Sequence, residues 1–151
     1  DASDWRRLLE VNLTSAFLLA KASHAALRSG RGSLVLISST NGLNGGSALS
    51  GPAYAVAKAG IINLTRYLAK EWGRDGIVVN AIAPGAASPR GKDAAARAEA
   101  EYREFLKAHP MGRQGDPEDD IGPVALFLCS DACRFVTGQT FMVDGGAFLW
   151  A

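Results

Sequence analysis

The sequence predicts an α/β protein built on a parallel sheet, and three observations carry that reading. Residues 34–37 and 77–82 are short, continuous apolar runs of the kind found in strands covered on both faces. Around them lie longer segments with helical spacing, each bounded by recognisable start and stop residues. The resulting order is α-β-α-β-α-α-β, an alternation that calls for a parallel sheet with helices packed against it.

The first predicted helix spans residues 5–28, with Ser3 or Asp4 as the cap ahead of Trp5 and Gly30 and Gly32 at its end. Trp5, Leu8, Leu9, Ala16 and Leu19 form its apolar stripe, and Asn12 interrupts that stripe. A buried amide without partners costs roughly 1–3 kcal/mol, so Asn12 needs a structural partner or a task. The chain begins where a helix begins, as though a preceding segment belonged to the same fold. The run at 34–37 is the first strand. Ser38 and Ser39 follow it, then a loop at 42–51 rich in glycine, serine and asparagine.

Pro52 leads into a second helix at 53–74, closed by Gly73 and Gly76. The second strand, 77–82, is stopped by Pro84-Gly85. Residues 93–108 read as an alanine-rich, highly charged helix with little apolar stripe. Asp116-Pro117-Glu118-Asp119 opens the last helix with a capping aspartate, a proline at the first position and acids in the first turn. That helix runs to about Ser130, and 140–143 is a short final strand before Asp144-Gly145-Gly146.

At 151 residues, 48% of them hydrophobic, the chain has the size of one domain. A net charge of +1 with acids and bases interspersed argues against a nucleic-acid or membrane surface. No apolar run approaches the ~20 residues of a membrane span. Cys129 and Cys133 stand far in sequence from His24 and His109, so no metal site is expected. Two reduced thiols suit a cytoplasmic location. His24 reads as a surface or packing residue.

Chemistry is concentrated at Tyr54 and Lys58, four residues apart on the second helix. That spacing places the phenol and the ammonium about 40° apart on one face, a turn from each other. A free phenol has a pKa of roughly 10 and is a poor proton donor or acceptor at neutral pH; a neighbouring cation favours the phenolate. A serine at the end of the neighbouring strand could hydrogen-bond the same substrate oxygen. Side chains alternate along a strand, so only one of Ser38 and Ser39 can face the tyrosine.

These segments together resemble the C-terminal half of a short-chain dehydrogenase/reductase, over residues 5–146. The resemblance rests on Glu10-Val11-Asn12-Leu13, Ile37-Ser38-Ser39, Tyr54-Ala55-Val56-Ala57-Lys58 and Val79-Asn80-Ala81-Ile82-Ala83-Pro84-Gly85. It continues through Pro110-Met111-Gly112-Arg113, Leu128-Cys129-Ser130-Asp131, Val136-Thr137-Gly138-Gln139 and Val143-Asp144-Gly145-Gly146. It implies the C-terminal portion of a Rossmann-like, doubly wound parallel sheet, with three strands here.

The resemblance further implies that Asn12, Ser39, Tyr54 and Lys58 occupy the family's catalytic positions. The tyrosine would be the acid–base, and the serine would position the carbonyl. The lysine would contact the nicotinamide ribose and depress the tyrosine pKa, and the asparagine would support a water-linked proton relay. Tyr54, Lys58, Pro84, Gly85 and Ser88 would contact NAD or NADP, with Ser88 standing where the family has threonine. Residues at about 88–112 resemble a substrate lid. The substrate would be a small carbonyl compound or secondary alcohol. The helices at 5–28 and 53–74, rich in small residues such as Ala16, Ala20, Ala22, Ala55, Ala59 and Gly60, would pair across a two-fold axis in a homodimer or homotetramer.

One element of the family is missing. No Gly-x-Gly-x-x-Gly occurs anywhere in the sequence, so the pyrophosphate cradle and the NAD-versus-NADP determinant lie outside these residues. The run at 34–37 is apolar on both faces, and the resemblance places one of its neighbours in that other half. Cut there, the isolated chain is expected to be neither active nor a comfortable monomer. Two other readings remain open: a relic or interaction module without cofactor binding, and an epimerase or dehydratase on the same scaffold.

Overall fold

A computed structural model describes residues 1–46, 50–86, 99–107 and 109–148. The elements are α1 (Ala2–Leu9), α2 (Ser15–Gly30), β1 (Ser33–Ile37), α3 (Pro52–Trp72), β2 (Val78–Pro84), α4 (Glu99–Lys107), α5 (Gly122–Leu128) and β3 (Thr140–Val143). The three strands are parallel in the order β1-β2-β3. Leu36 stands beside Ala81, and Ile82 beside Phe141. Among the described residues β1 pairs with β2 alone, and Ile37 at its end is 49% exposed.

The alternation of β2 sorts the core into two layers. Val79 and Ala81 face α3 and α2, meeting Ala20, Ile61, Leu68, Ala69 and Trp72. Ile82 faces the other way, onto Leu128 and Cys133, with Val124 and Ala125 of α5 beside them. Helices therefore cover both faces of an open parallel sheet, the doubly wound arrangement expected from the sequence.

Several local expectations are corrected. The first helix is capped by Asp1, not by Ser3 or Asp4; its carboxylate accepts from Ser3 N at 2.7 Å and Asp4 N at 2.9 Å. The helix is not uniform either, because Glu10–Thr14 is a π-helical stretch between α1 and α2. Asn12 Nδ2 donates to Leu8 O and Ser15 Oγ to Val11 O, and such side-chain bonds to carbonyls four residues back loosen the regular ladder. At the far end the left-handed cap is Arg31, with φ 49°, rather than a glycine. Its side chain lies over Gly76, where a Cβ would come within 3.3 Å of it.

β2 runs on through Pro84 instead of stopping before it, since a proline at the last position of a strand removes only one donor. The helix predicted at 93–108 is observed at Glu99–Lys107, and residues 93–98 and 108 lie outside the described residues. The last helix opens as a π-helical turn, Pro117–Ile121, capped by Asp116 as predicted, and ends at Leu128. Leu19, assigned above to an apolar stripe, is 62% exposed.

Candidate active site

β1 delivers two serines to its C-terminal end, and they do different things. The alternation that turns Leu34 and Leu36 toward the helices continues to Ser38, which is buried and donates from Oγ to Lys58 O at 2.8 Å. Ser39 is extended, with φ −163°, and its Oγ accepts from Asn41 N at 3.2 Å, capping the 3₁₀ turn Thr40–Gly42. Ser38's hydroxyl proton is thus committed to α3. Ser39 uses a lone pair and keeps its proton.

α3 starts at Pro52 behind Gly51, whose φ of 71° suits a residue without a side chain. Tyr54 and Lys58 are both half-buried on its first turns. Lys58 Nζ donates to Ile37 O at 3.0 Å and lies over the Tyr54 ring, 5.5 Å from its centroid. That is within the range of a cation–π contact. Burial lowers the Lys58 pKa from its ordinary 10.5. One ammonium therefore links the strand carrying the serines to the helix carrying the tyrosine.

Asn12 is placed differently. The π-helical stretch packs against α3, where Leu13 fills the space that a Cβ on Gly60 would need, at 2.8 Å. The Asn12 amide is half-buried, and its hydrogen bond goes to its own helix, at Leu8 O, 3.1 Å away. Helix packing, rather than a direct bond among the described residues, joins Asn12 to Tyr54 and Lys58. A π-helical bulge at this asparagine is a feature that often accompanies functional positions.

Pro84 and Gly85 lie at the C-terminal end of β2, the sheet edge where open α/β folds bind ligands. Gly85 is a glycine because the chain crosses Asp144 there: a Cβ would sit 2.7 Å from Asp144 Cα. Gly85 N also donates to Val143 O at 2.8 Å. Ser88 and the rest of 88–98 in the proposed lid lie outside the described residues, as does 108. A cleft of about 470 Å³ opens between the turn after Ser39, the Pro84–Gly85 edge and the residues around Asp144. Tyr54 and Lys58 do not line it; Thr40 and Asn41, directly after Ser39, do.

Sequence reasoning named Asp144 only as the residue after the last strand and within a family segment, and it singled out none of Asn41, Asn44 and Gln114. Asp144 is buried, and its carboxylate accepts from Gly146 N at 3.0 Å and Phe148 N at 2.9 Å, fixing the turn behind Gly85. The signal for that turn was available in Asp144-Gly145-Gly146, an aspartate ahead of two glycines with φ 65° and 82°. Asn41, Asn44 and Gln114 line the cleft, and no local pattern separates them from ordinary loop residues. Among the described residues no group of three metal-binding side chains occurs, and no helix is long and apolar enough to cross a membrane. His24 packs against Trp72 in a tilted ring contact, centroids 4.7 Å apart, and meets Asp75 at 3.4 Å.

The family profile described as Enoyl-(Acyl carrier protein) reductase matches residues 1–147. The chain is 40% identical over 152 residues to 2-(S)-hydroxypropyl-CoM dehydrogenase 3 of Xanthobacter autotrophicus, covering 97% of this chain and 58% of that one. It is also 40% identical over 144 residues to the 2-dehydro-3-deoxy-D-gluconate 5-dehydrogenase of Bacillus subtilis, covering 95% and 56%. A crystal structure of a putative 2-deoxy-D-gluconate 3-dehydrogenase from Agrobacterium tumefaciens, with bound NADP, superposes with a TM-score of 0.88 at 37% identity. That match covers 97% of this chain and 59% of that one. The chain thus spans less than three fifths of the length of these relatives. A profile match over nearly every residue, on a doubly wound parallel sheet with a tyrosine and a lysine one helical turn apart near the C-terminal end of β1, makes this chain a member of the short-chain dehydrogenase/reductase family.

Proposed function

We propose that these residues form the catalytic portion of an oxidoreductase that interconverts a carbonyl compound and a secondary alcohol with NAD or NADP. The observation that carries the reading is Lys58, whose ammonium bonds Ile37 O beside the serines and lies 5.5 Å from the Tyr54 ring. Tyr54 donates the proton to the substrate oxygen in reduction and takes it back in oxidation. Ser39, with its hydroxyl proton available, hydrogen-bonds that oxygen and holds it in line with Tyr54. In reduction the carbonyl carbon gains a hydride and the oxygen gains the Tyr54 proton, giving the alcohol.

The residues present fit the nicotinamide end of such a cofactor: an ammonium and a phenol beside the end of β1 and a glycine turn at the end of β2 lie along the C-terminal edge of the sheet. When bound, the nicotinamide supplies or accepts the hydride. Lys58, Tyr54, Pro84 and Gly85 would hold it, with Ser88 as a further contact and Asn12 supporting proton return through water. The Gly-rich fingerprint for the pyrophosphate is absent from these residues, so the complete site needs a further part of the fold. The NADP bound in the Agrobacterium relative supports this cofactor class. Carbonyl and alcohol chemistry in the named relatives supports the reaction class. The matching profile's description names enoyl reduction, whereas the relatives named above are dehydrogenases, and the proposed reaction follows the relatives.

Assembly is part of the same proposal. Val11, Leu18, Leu19, Val56 and Tyr67 are between 48% and 63% exposed on the helices proposed to pair across a two-fold axis. They, rather than the small residues, supply the apolar surface: Ala20 and Ala55 are buried within the chain, and Gly60 is packed by Leu13.

The test is Tyr54→Phe in the full-length protein. The expected result is a loss of several orders of magnitude in turnover with an unchanged circular dichroism spectrum and Tm. Near-normal turnover in that variant would remove the mechanism. A second reading is a module without cofactor binding. NAD(P)H titration separates the two, since saturable micromolar binding by the full-length protein excludes the second.

A further inference from the structure

The cleft beside Ser39 presents hydrogen-bonding groups that the fold does not use. Thr40, Asn41 and Asn44 line one side, and Gln114 faces them from the segment after α4. Thr40, Asn41 and Gln114 are half-buried, and Asn44 is exposed. Asn44 Oδ1 accepts from Gly46 N at 2.9 Å, which leaves its amide NH₂ for the cleft. Gln114 Oε1 accepts from the Tyr102 hydroxyl at 3.3 Å, which leaves its NH₂ as well. Among the described residues no hydrogen bond engages the Asn41 side-chain amide or the Thr40 hydroxyl. The carboxylate in the lining, Asp144, is taken up by two backbone N–H groups of its own turn. Apart from His109, what remains is a set of neutral donors and acceptors around a space of about 470 Å³, next to the serine proposed to hold the reacting oxygen.

We infer that the substrate is a small polyhydroxylated carbonyl compound, such as a keto-sugar, and that Asn41 and Gln114 are specificity-determining residues that read its hydroxyls. The inference rests on the oxidoreductase reading above. In the free protein, water satisfies these amides. A substrate rich in hydroxyls displaces that water and replaces its bonds, one for one. An alkyl chain displaces the water and replaces nothing, leaving half-buried amides unpaired; each unpaired amide lowers kcat/KM by roughly tenfold or more. The geometry thus selects by the number of hydroxyls near the carbonyl, and it does so through groups on two separate segments of the chain.

The experiment compares two substrates of the full-length protein, a keto-sugar and an unsubstituted aliphatic ketone of the same carbon count, by NAD(P)H oxidation. The keto-sugar is expected to be preferred in kcat/KM by at least about tenfold. In Asn41→Leu and in Gln114→Leu that preference falls toward unity, chiefly through KM for the keto-sugar. Asn41→Ser, which retains a hydrogen-bonding side chain where leucine does not, restores part of it, and turnover of the aliphatic ketone reports that each variant is folded. Preference for the aliphatic ketone by the unaltered protein overturns the inference and leaves the oxidoreductase reading standing. An undiminished preference in both leucine variants overturns the assignment of these two residues. Cofactor-dependent turnover of neither ketone overturns the inference together with the reading beneath it.

Discussion

Gly42 lies directly against the backbone of Lys58, so close that a Cβ on Gly42 would sit 2.6 Å from the Lys58 carbonyl carbon and 2.7 Å from Ala59 N. The turn after Ser39 is therefore seated on the helix that carries the proposed acid–base pair. The contact adjoins the Ser38 Oγ bond to Lys58 O. Any movement of this turn is felt at Lys58, and the reverse holds as well.

Gly42→Ala consequently destabilises the protein by about 1–3 kcal/mol through overpacking against backbone that cannot swing aside. The φ of Gly42 is not in the left-handed region, so the substitution reads sterics and not backbone strain. Turnover falls with Tyr54 and Lys58 both intact. Urea denaturation and steady-state kinetics on the same preparation check this, and an unchanged midpoint would mean that the turn is free to lift.

Lys58 makes the alkaline limb of stability informative. Burial lowers its pKa from 10.5, so between that lowered value and 10.5 the unfolded chain binds the proton more tightly than the folded one. Stability contributed by this group therefore rises with pH across that window, and below it the folded state carries the full desolvation cost. The stability of the wild type relative to Lys58→Met is expected to climb toward pH 10.5. A relative stability that declines there would show that the Ile37 carbonyl and the Tyr54 ring outweigh desolvation.

Asn80 is a fully buried amide inside β2, and it ties β3 into the sheet. Its Nδ2 donates to Val136 O at 2.7 Å, and its Oδ1 accepts from Gln139 N at 3.0 Å. Asn80→Ala leaves two backbone groups without partners and is expected to cost about 2–4 kcal/mol. Amide exchange at Gln139 should accelerate with it. Slow exchange at Gln139 in the variant would show that the turn holds itself.

Arg113 and Asp120 form a two-pronged pair, Nη1 to Oδ2 at 2.6 Å and Nη2 to Oδ1 at 2.9 Å, and Asp120 Oδ2 also accepts from Asp116 N. The guanidinium hydrogen bond holds the Asp120 carboxyl far below the usual carboxylate range. Its contribution is present in full above the ordinary 3.8 and is lost as pH falls through the lowered value. Asp120→Asn should reduce Tm at neutral pH, with the difference closing in strong acid. The pair is solvent-accessible, so added salt should shrink the difference too. A deficit that persists unchanged in acid would assign the effect to packing.

The sequence by itself determined the alternation of elements, because each strand and helix shows in its own residues which faces it must bury. The runs at 34–37 and 77–82 gave β1 and β2, Pro52 opened α3, and Thr140–Val143 lies where the last short strand was predicted. Tyr54 and Lys58 were readable for the same reason: helical spacing alone puts them one turn apart on α3. Tertiary structure decided what no local pattern encodes. It committed the Ser38 hydroxyl to the Lys58 carbonyl, a bond between groups twenty residues apart. It made Arg31 a left-handed cap by packing its stem on Gly76, and it required Gly85 by passing Asp144 across it. It also drew Asn41, Asn44 and Gln114 around one cleft, although each is an ordinary loop residue in its own neighbourhood. Periodicity reports the amount and direction of apolar surface on one element. The partner of a polar group depends on how elements distant in sequence are brought together, and only their packing in three dimensions sets that.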